Sequence, residues 1–298
     1  MKYGYIGLGN LGGHIAASLQ RAGFHIVVND IDKTLAERHI KAGATWAATP
    51  AELAAQVDHV VTCLPSPAVS EKVLTGILES LKPGGTWIEN STIGRDEMQR
   101  LAAMAEAKGI RVLEAPVTGG VHLAARGEIT VLVGGDVDLF EQHKPALEAI
   151  GNKMFHMGPI GSAAIIKVIT NMLAFIHLVA DAEALMLAKR GGLDLAQAWA
   201  AITASSGTSF VHETEGQLIL NGSYDIAFSM DLALKDLGFA MNFGREFGVP
   251  LDLASLTSAT FMKGRQAYVV ARSKIETFLF ALAFAISRLN SSLGSTGS

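Results

Sequence analysis

The stretch "GYIGLGNLGGHIAASLQRAGFHIVVND", Gly4 to Asp30, decides how the first part of the chain folds. An apolar run ends at Ile6 and three glycines follow at Gly7, Gly9 and Gly12. A helical run then closes at Gly23, and a second apolar run ends on an acid, Asp30. A strand feeding such a turn lets the backbone approach a diphosphate closely, and the helix after it offers unpaired N–H groups and the positive end of its dipole. Ile15, Ala16 and Leu19 give that helix an apolar side. The acid stands where a carboxylate can accept the ribose hydroxyls of an adenosine. Strand before, helix after and acid at the next strand end complete the pattern of a dinucleotide site. A carboxylate at position 30 would repel a 2′-phosphate, so NAD is expected over NADP, with Lys33 and Arg38 as the nearby bases that would admit NADP.

Beyond this stretch the pattern repeats up to about Met157. Short β-branched runs at Val60–Leu64, Trp87–Ile88, Val112–Leu113 and Thr130–Val133 alternate with helical runs, which predicts βα units around a parallel sheet. After Gly161 the character changes. Ile165, Val168, Ile169, Met172, Ile176 and Val179 recur at helical spacing over about thirty residues ending near Gly191–Gly192, too long for a crossover helix. The expected fold is therefore α/β: an N-terminal Rossmann-type doubly wound sheet, residues 1–160, joined by a long helix to an all-α domain, residues 161–298. Loops are expected at Ser205–Gly207 and Asn221–Ser223.

A chain of 298 residues, 49% hydrophobic and 17% charged, has ample apolar surface for two cores. A net charge of -4 without a basic cluster argues against nucleic acid as the partner. One cysteine, Cys63, forbids an intrachain disulfide and fits a reducing compartment, and the immediate entry into a strand leaves no room for a signal peptide, so the cytoplasm is expected. The apolar stretch Phe278–Ile286 is too short to span a bilayer and is expected as a buried helix, with Leu293–Ser298 as a flexible linker. The nine histidines form no metal pattern, and hydride transfer needs no metal.

Three further stretches carry polar groups suited to chemistry: "NSTIG" from Asn90, "APVTGGVHLAARGEITVLVGG" from Ala115 and "GPIGSAAIIKVITN" from Gly158. With the glycine turn, they resemble the β-hydroxyacid dehydrogenase family, which includes 3-hydroxyisobutyrate dehydrogenase and tartronate semialdehyde reductase, over Tyr3 to about Tyr268. The resemblance implies the following roles. Gly7, Gly9, Gly12 and Asp30, with the intervening Leu8, Asn10 and Leu11, hold the cofactor. Leu64 and Pro65 of "TCLPSP" pass over its diphosphate and ribose, and Ser91 and Thr92 stand beside the nicotinamide. Thr118, Gly119 and Gly120 bind the substrate carboxylate. Lys167 is the catalytic lysine, Asn171 its companion, and Lys235–Asp236 the pair that reaches the active site from the helical domain.

These roles agree with elementary chemistry. Oxidising an alcohol by hydride transfer needs a base on the hydroxyl, and reduction needs the same group as an acid. A lysine serves if desolvation brings it down from about 10.4. Lys167 and Asn171 are four apart and share a helix face, but at about 100° per residue they point away from the Ile165–Ile169–Met172 stripe, so periodicity alone makes Lys167 a solvated surface residue. Thr118–Gly120 would serve equally as a plain turn, or as a backbone nest for a carboxylate. His122, His212 and Phe210 are expected to shape the pocket for the substrate's variable end.

Two departures from the family stand out. Gly94 replaces a proline, which is expected to loosen a loop. After Tyr268 the chain lacks the family's usual ending, and a frameshift or vector-derived residues would explain the atypical tail. The expected activity is NAD(P)-dependent oxidation of a small 3-hydroxy acid by a homodimer or homotetramer. The alternatives are an imine reductase of the same architecture and a non-catalytic cofactor-binding homologue; the first usually replaces the lysine and lacks the carboxylate motif, and the second would be expected to lose the lysine, which this chain retains.

Overall fold

In the computed structural model, which describes residues 1–221, 223 and 228–271, the chain opens on β1 (Tyr3–Ile6) and turns through the glycines into α1 (Gly12–Arg21). There follow β2 (Ile26–Asn29), α2 (Glu37–Lys41), β3 (Thr45–Trp46), α3 (Pro50–Ala54), β4 (His59–Thr62), α4 (Pro67–Ile77), β5 (Thr86–Glu89), α5 (Arg95–Glu106) and β6 (Arg111–Glu114). The first unit then runs through β7 (Val117–Thr118), α6 (Gly120–Arg126), β8 (Thr130–Gly135), α7 (Val137–Ile150) and β9 (Lys153–Gly158). The strands form one sheet in the order β3-β2-β1-β4-β5-β6-β8-β7, with β9 beside β8. Alternation in β1 shows why helices must cover both faces. Tyr3 and Tyr5 enter one core with Ile15, Leu19, Leu139 and Leu147, while Ile6 enters the other with Leu53, Leu74, Trp87 and Leu101.

The expected parallel sheet holds from β3 to β6. Beyond it the pattern changes: β8 runs antiparallel to both β6 and β7 and parallel to β9. The short Val117–Thr118 and the half-exposed "KMFHMG" of β9 lack the fully apolar signature of a strand buried on two faces, so the sequence pattern missed them, as it missed the two-residue β3. At position 94 the backbone has φ −72° and ψ 159°, values proline also takes, so the loop keeps the shape that the family's proline would impose.

The long helix is present as α8 (Ser162–Arg190), and the chain divides into two compact units within it, Met1–Val168 and the residues from Ile169 on. The second unit continues through α9 (Leu195–Thr203), α10 (Phe210–Leu220), α11 (Met230–Phe247) and α12 (Asp252–Ala271). Asp194, Ser209 and Ser229 cap α9, α10 and α11 through their side chains, which is why these helices start where they do. Phe175, Leu178, Ala182, Val211, Leu237 and Phe261 pack as the core of this unit. By length and composition α8 would cross a membrane, yet Asn171 and Asp181 on it are buried against polar partners, the situation of a core helix. The loop at Ser205–Gly207 is present; Gly222, the apolar stretch Phe278–Ile286 and the linker-like Leu293–Ser298 lie outside the described residues.

The predicted stripe of α8 is wrong by a rotation. Ile169 and Leu173 are exposed, and the buried line runs through Ala164, Val168, Asn171, Phe175, Leu178, Ala182 and Leu185, with Lys167 beside it. Lys167 and Asn171, expected to point away from the apolar seam, are only 7% and 9% exposed. The physical reason is that a helix with apolar residues almost all round carries little directional signal, so polar groups with partners displaced isoleucine and leucine from the buried face.

Candidate active site

The three glycines of the turn do three different things. A Cβ on Gly7, which has φ +98°, would lie 2.2 Å from the carbonyl oxygen of Cys63, and one on Gly12 would lie 2.1 Å from that of Gly7. Both positions are closed by backbone packing. A Cβ on Gly9 would meet nothing within 4 Å, so this residue presents bare backbone to open space. Behind it α1 has Leu11 at its N-cap, with no side-chain cap and no acid in its first turn; Gly13 N–H donates to Gly9 O at 2.9 Å and His14 N–H to Leu11 O at 3.0 Å, so it is the positive end of the helix dipole that is left to an anion. The Asp30 carboxylate accepts from Leu8 N–H at 2.6 Å and from Asp32 N–H at 2.9 Å, so the acid at the end of β2 also braces the glycine loop. These residues fit the adenosine and diphosphate of a nicotinamide cofactor. The geometry separates two substitutions. Gly9→Ala should leave the melting temperature within a degree or two and weaken cofactor binding measured by calorimetry, whereas Gly12→Ala, which forces backbone apart, should cost about 1–3 kcal/mol of stability as well as binding.

On the other side of the cradle, the loop after β4 is tied to the loop after β5. Leu64 N–H donates to Ser91 Oγ at 2.7 Å, and Ser91 N–H donates to Glu89 Oε1 at 2.8 Å. Glu89 is fully buried; desolvation raises its carboxyl, and the hydrogen bond from Ser91 pulls it back. Ser91 is itself buried, while Thr92 is half-buried. The Cys63 thiol is pushed up to about 12, chiefly by burial, and the positive charge of Lys167 opposes that shift, which puts the amine within electrostatic reach of the Cys63–Pro65 loop.

Thr118 closes β7 opposite Thr130, and Gly119 and Gly120, at φ +123° and +82°, carry the chain into α6, of which Gly119 is the N-cap and Gly120 the first residue. Two successive residues with positive φ turn the chain sharply from strand to helix, a conformation open to glycine and strained for other residues. His122 is exposed, its ring against Gly120. Farther along α8, Asn171 Nδ2 donates to Asp236 Oδ2 at 2.6 Å, and Asp236, only 1% exposed, is ion-paired with Lys235 at 3.2 Å. Lys235 Nζ also lies 5.5 Å from the centre of the Phe239 ring.

One expectation fails. His212, predicted as a pocket wall, is buried with both ring nitrogens engaged: Nδ1 pairs with Asp181 and Nε2 meets the Trp199 carbonyl oxygen at 3.0 Å. Its ring also stacks on Trp199. It ties α8, α9 and α10 together, while Phe210 is exposed. A polar group the sequence reading passed over is Glu114 at the end of β6. It is buried, and its carboxylate accepts from Gly161 N–H at 2.7 Å, Ala163 N–H at 2.8 Å and Ala164 N–H at 3.1 Å, at the start of α8. Burial pushes it up to about 7 against the pull of those three donors. The signal was legible, since "VLE" repeats the form of "VVND": an apolar strand ending on an acid.

Residues 2–158 match the profile of the NAD binding domain of 6-phosphogluconate dehydrogenase, and residues 161–274 match that of the NAD-binding domain of NADP-dependent 3-hydroxyisobutyrate dehydrogenase. The 2-(hydroxymethyl)glutarate dehydrogenase of Eubacterium barkeri is 32% identical over 269 residues, 89% of each chain. The mitochondrial 3-hydroxyisobutyrate dehydrogenase of Mus musculus is 33% identical over 263 residues, 85% of this chain and 78% of that one. The crystal structure of a 3-hydroxyisobutyrate dehydrogenase from Salmonella typhimurium superposes with a TM-score of 0.87 at 30% identity, covering 96% of this chain and 99% of that one. With both profiles matched in order and relatives at this level of identity, the chain belongs to the β-hydroxyacid dehydrogenase family, NAD(P)-dependent oxidoreductases that act on the CH–OH group of small hydroxy acids.

Proposed function

We propose that this enzyme oxidises a small 3-hydroxy acid to its semialdehyde or ketone with NAD in preference to NADP, and that Lys167 moves the proton. The observation that carries the reading is the burial of Lys167 and Asn171 on adjacent turns of one helix, at the expense of isoleucine and leucine that face out. Burying an ammonium is costly, and the same desolvation favours the neutral amine that a base for the hydroxyl proton must be. When bound, the nicotinamide supplies the hydride acceptor in oxidation and the donor in reduction. Lys167 Nζ, as the neutral amine, takes the hydroxyl proton, and as the ammonium returns it in the reverse direction. Asn171 steadies the substrate hydroxyl, and Asp236, by accepting from Nδ2, fixes which way the amide faces. Thr118, Gly119 and Gly120 hold the carboxylate, and His122 and Lys235 are assigned to substrate binding with them. Gly7 to Gly12, Asp30, Leu64, Pro65, Ser91, Thr92, Lys235 and Asp236 hold the cofactor.

The preference for NAD is supported by Asp30, whose carboxylate would face a 2′-phosphate across the ribose position. A homo-oligomer working in the cytoplasm belongs to the same reading, supported by exposed Ile169, Leu173 and Leu187 on α8 and by the lone cysteine. The test is the appearance of reduced nicotinamide from a panel of 3-hydroxy acids, each assayed with NAD and NADP in parallel. Turnover of at least one acid with a higher kcat/KM for NAD is expected. Oxidation of no acid, or a clear preference for NADP, would overturn the corresponding part.

A further inference from the structure

The other capped helices of this chain are started locally. Ser66, Asp136, Asp194, Ser209 and Ser229 each accept from the N–H three residues ahead. The start of α8 is held differently, by a carboxylate 47 to 50 residues earlier in the chain and anchored in the sheet. The fold makes room for it at a specific place. Gly134 stands opposite Glu114 in the ladder between β6 and β8, and a Cβ there would lie 2.1 Å from Glu114 Oε1. Taking a carboxylate out of water costs several kcal/mol unless it is paired or hydrogen-bonded, and here three backbone donors and the positive end of the helix dipole share that burden.

We propose that Glu114 is a positioning residue for the reaction: its carboxylate fixes the first turn of α8, and so the place of Lys167, relative to the Thr118–Gly120 loop into which its own strand leads. Lys167 stands three residues past Ala164, the last amide Glu114 holds, and so about one turn farther along the same side of the helix. In the other direction Thr118 follows Glu114 by four residues with no slack between them. Ala115 N–H donates to Glu89 O at 2.7 Å, Ala115 O accepts from Asn90 Nδ2 at 2.6 Å, and Pro116 O accepts from Leu132 N–H at 2.9 Å. A side chain at this junction sets the distance between the proton-moving amine and the carboxylate-binding loop, the separation a 3-hydroxy acid must match. A misplacement of about 1 Å in such a separation can cost 10²-fold in rate.

The proposal rests on Lys167 as the acid–base group, so Lys167→Ala is measured alongside. In Glu114→Gln one carboxylate oxygen becomes an NH2 that opposes the α8 donors. Its kcat should fall tenfold or more, with the limb of its pH profile assigned to Lys167 displaced, while the cofactor Kd stays within twofold and the protein remains folded by circular dichroism. Glu114→Asp, which keeps the charge on a shorter arm, should recover part of kcat and return the limb towards its wild-type position. A Glu114→Gln enzyme with wild-type kcat and pH profile beside a dead Lys167→Ala overturns the positioning role and leaves the acid–base reading standing. An active Lys167→Ala sinks that reading itself. If both Glu114 variants lose activity only in proportion to their unfolded fraction, with an unmoved pH limb, the residue is structural and the proposal is refuted.

Discussion

Replacing Lys167 with alanine should lower kcat for the hydroxy acid by about 10²–10⁴-fold, the range that positioned proton transfer contributes. The glycine turn, Asp30 and the Leu64–Ser91 tie, to which the proposed function gives the cofactor, do not depend on this side chain, so cofactor affinity should hardly change. The loss should also fall on kcat and kcat/KM together, since the group acts in the transition state more than in the bound ground state. Asn171→Ala removes a hydrogen-bonding group but no proton carrier, so it should cost less and leave the pH limb in place. Steady-state kinetics with both variants, beside calorimetric cofactor titrations, checks this. A Lys167→Ala enzyme within tenfold of the wild type would assign the proton to another group.

The second large effect lies far from the chemistry. His143 is fully buried between Tyr3 Oη at 2.8 Å and Thr86 Oγ1 at 3.0 Å, with the His59 ring edge-on at 4.5 Å. Desolvation, followed by the charges of His59 and Arg111, lowers it to about 3. Its folded value lies below the unfolded one, so its contribution is fully present above about pH 6.5 and is lost as pH falls from there towards 3. Glu114 and Glu215, both raised to about 7 by burial, carry the opposite sign over part of that span, so the wild-type curve mixes the two. The difference between wild type and His143→Gln isolates one group. Between pH 6.5 and 4.5 the wild type should lose about 2 kcal/mol more than the variant, the slope approaching about 1.4 kcal/mol per pH unit at the lower end. Urea unfolding at several pH values measures it, and parallel curves for the two proteins would mean that His143 takes up its proton in the folded state.

Much of this was legible because local rules and tertiary structure agree in the first unit. Gly7, Gly12 and Asp30 could be read from spacing, since the turn they form is a backbone requirement that leaves few alternatives. The β8 reversal was not, because the direction of a strand depends on its partners and not on its own residues. Lys167 and Asn171 were found by resemblance while periodicity pointed them outward: α8 is apolar on nearly every side, and what turns Asn171 inward is the Asp236 carboxylate sixty-five residues away. The Asp181–His212 pair was missed for the same reason, being buried polar groups whose partners come from distant segments, whereas Glu114 showed itself as an acid at a strand end and only its partners were hidden.

The three tryptophans of this chain stand in three separate surroundings. Trp87 is sealed in the sheet with its indole N–H on Thr62, Trp46 sits half-buried at the β3 edge beside Lys33, and Trp199 lies in the helical unit, stacked on His212. The enzyme therefore carries built-in optical labels for its separate parts. With Trp46 and Trp87 changed to phenylalanine, tryptophan emission comes from the helical unit alone, and with Trp199 changed it comes from the sheet unit, so the melting of each can be watched without attaching a dye.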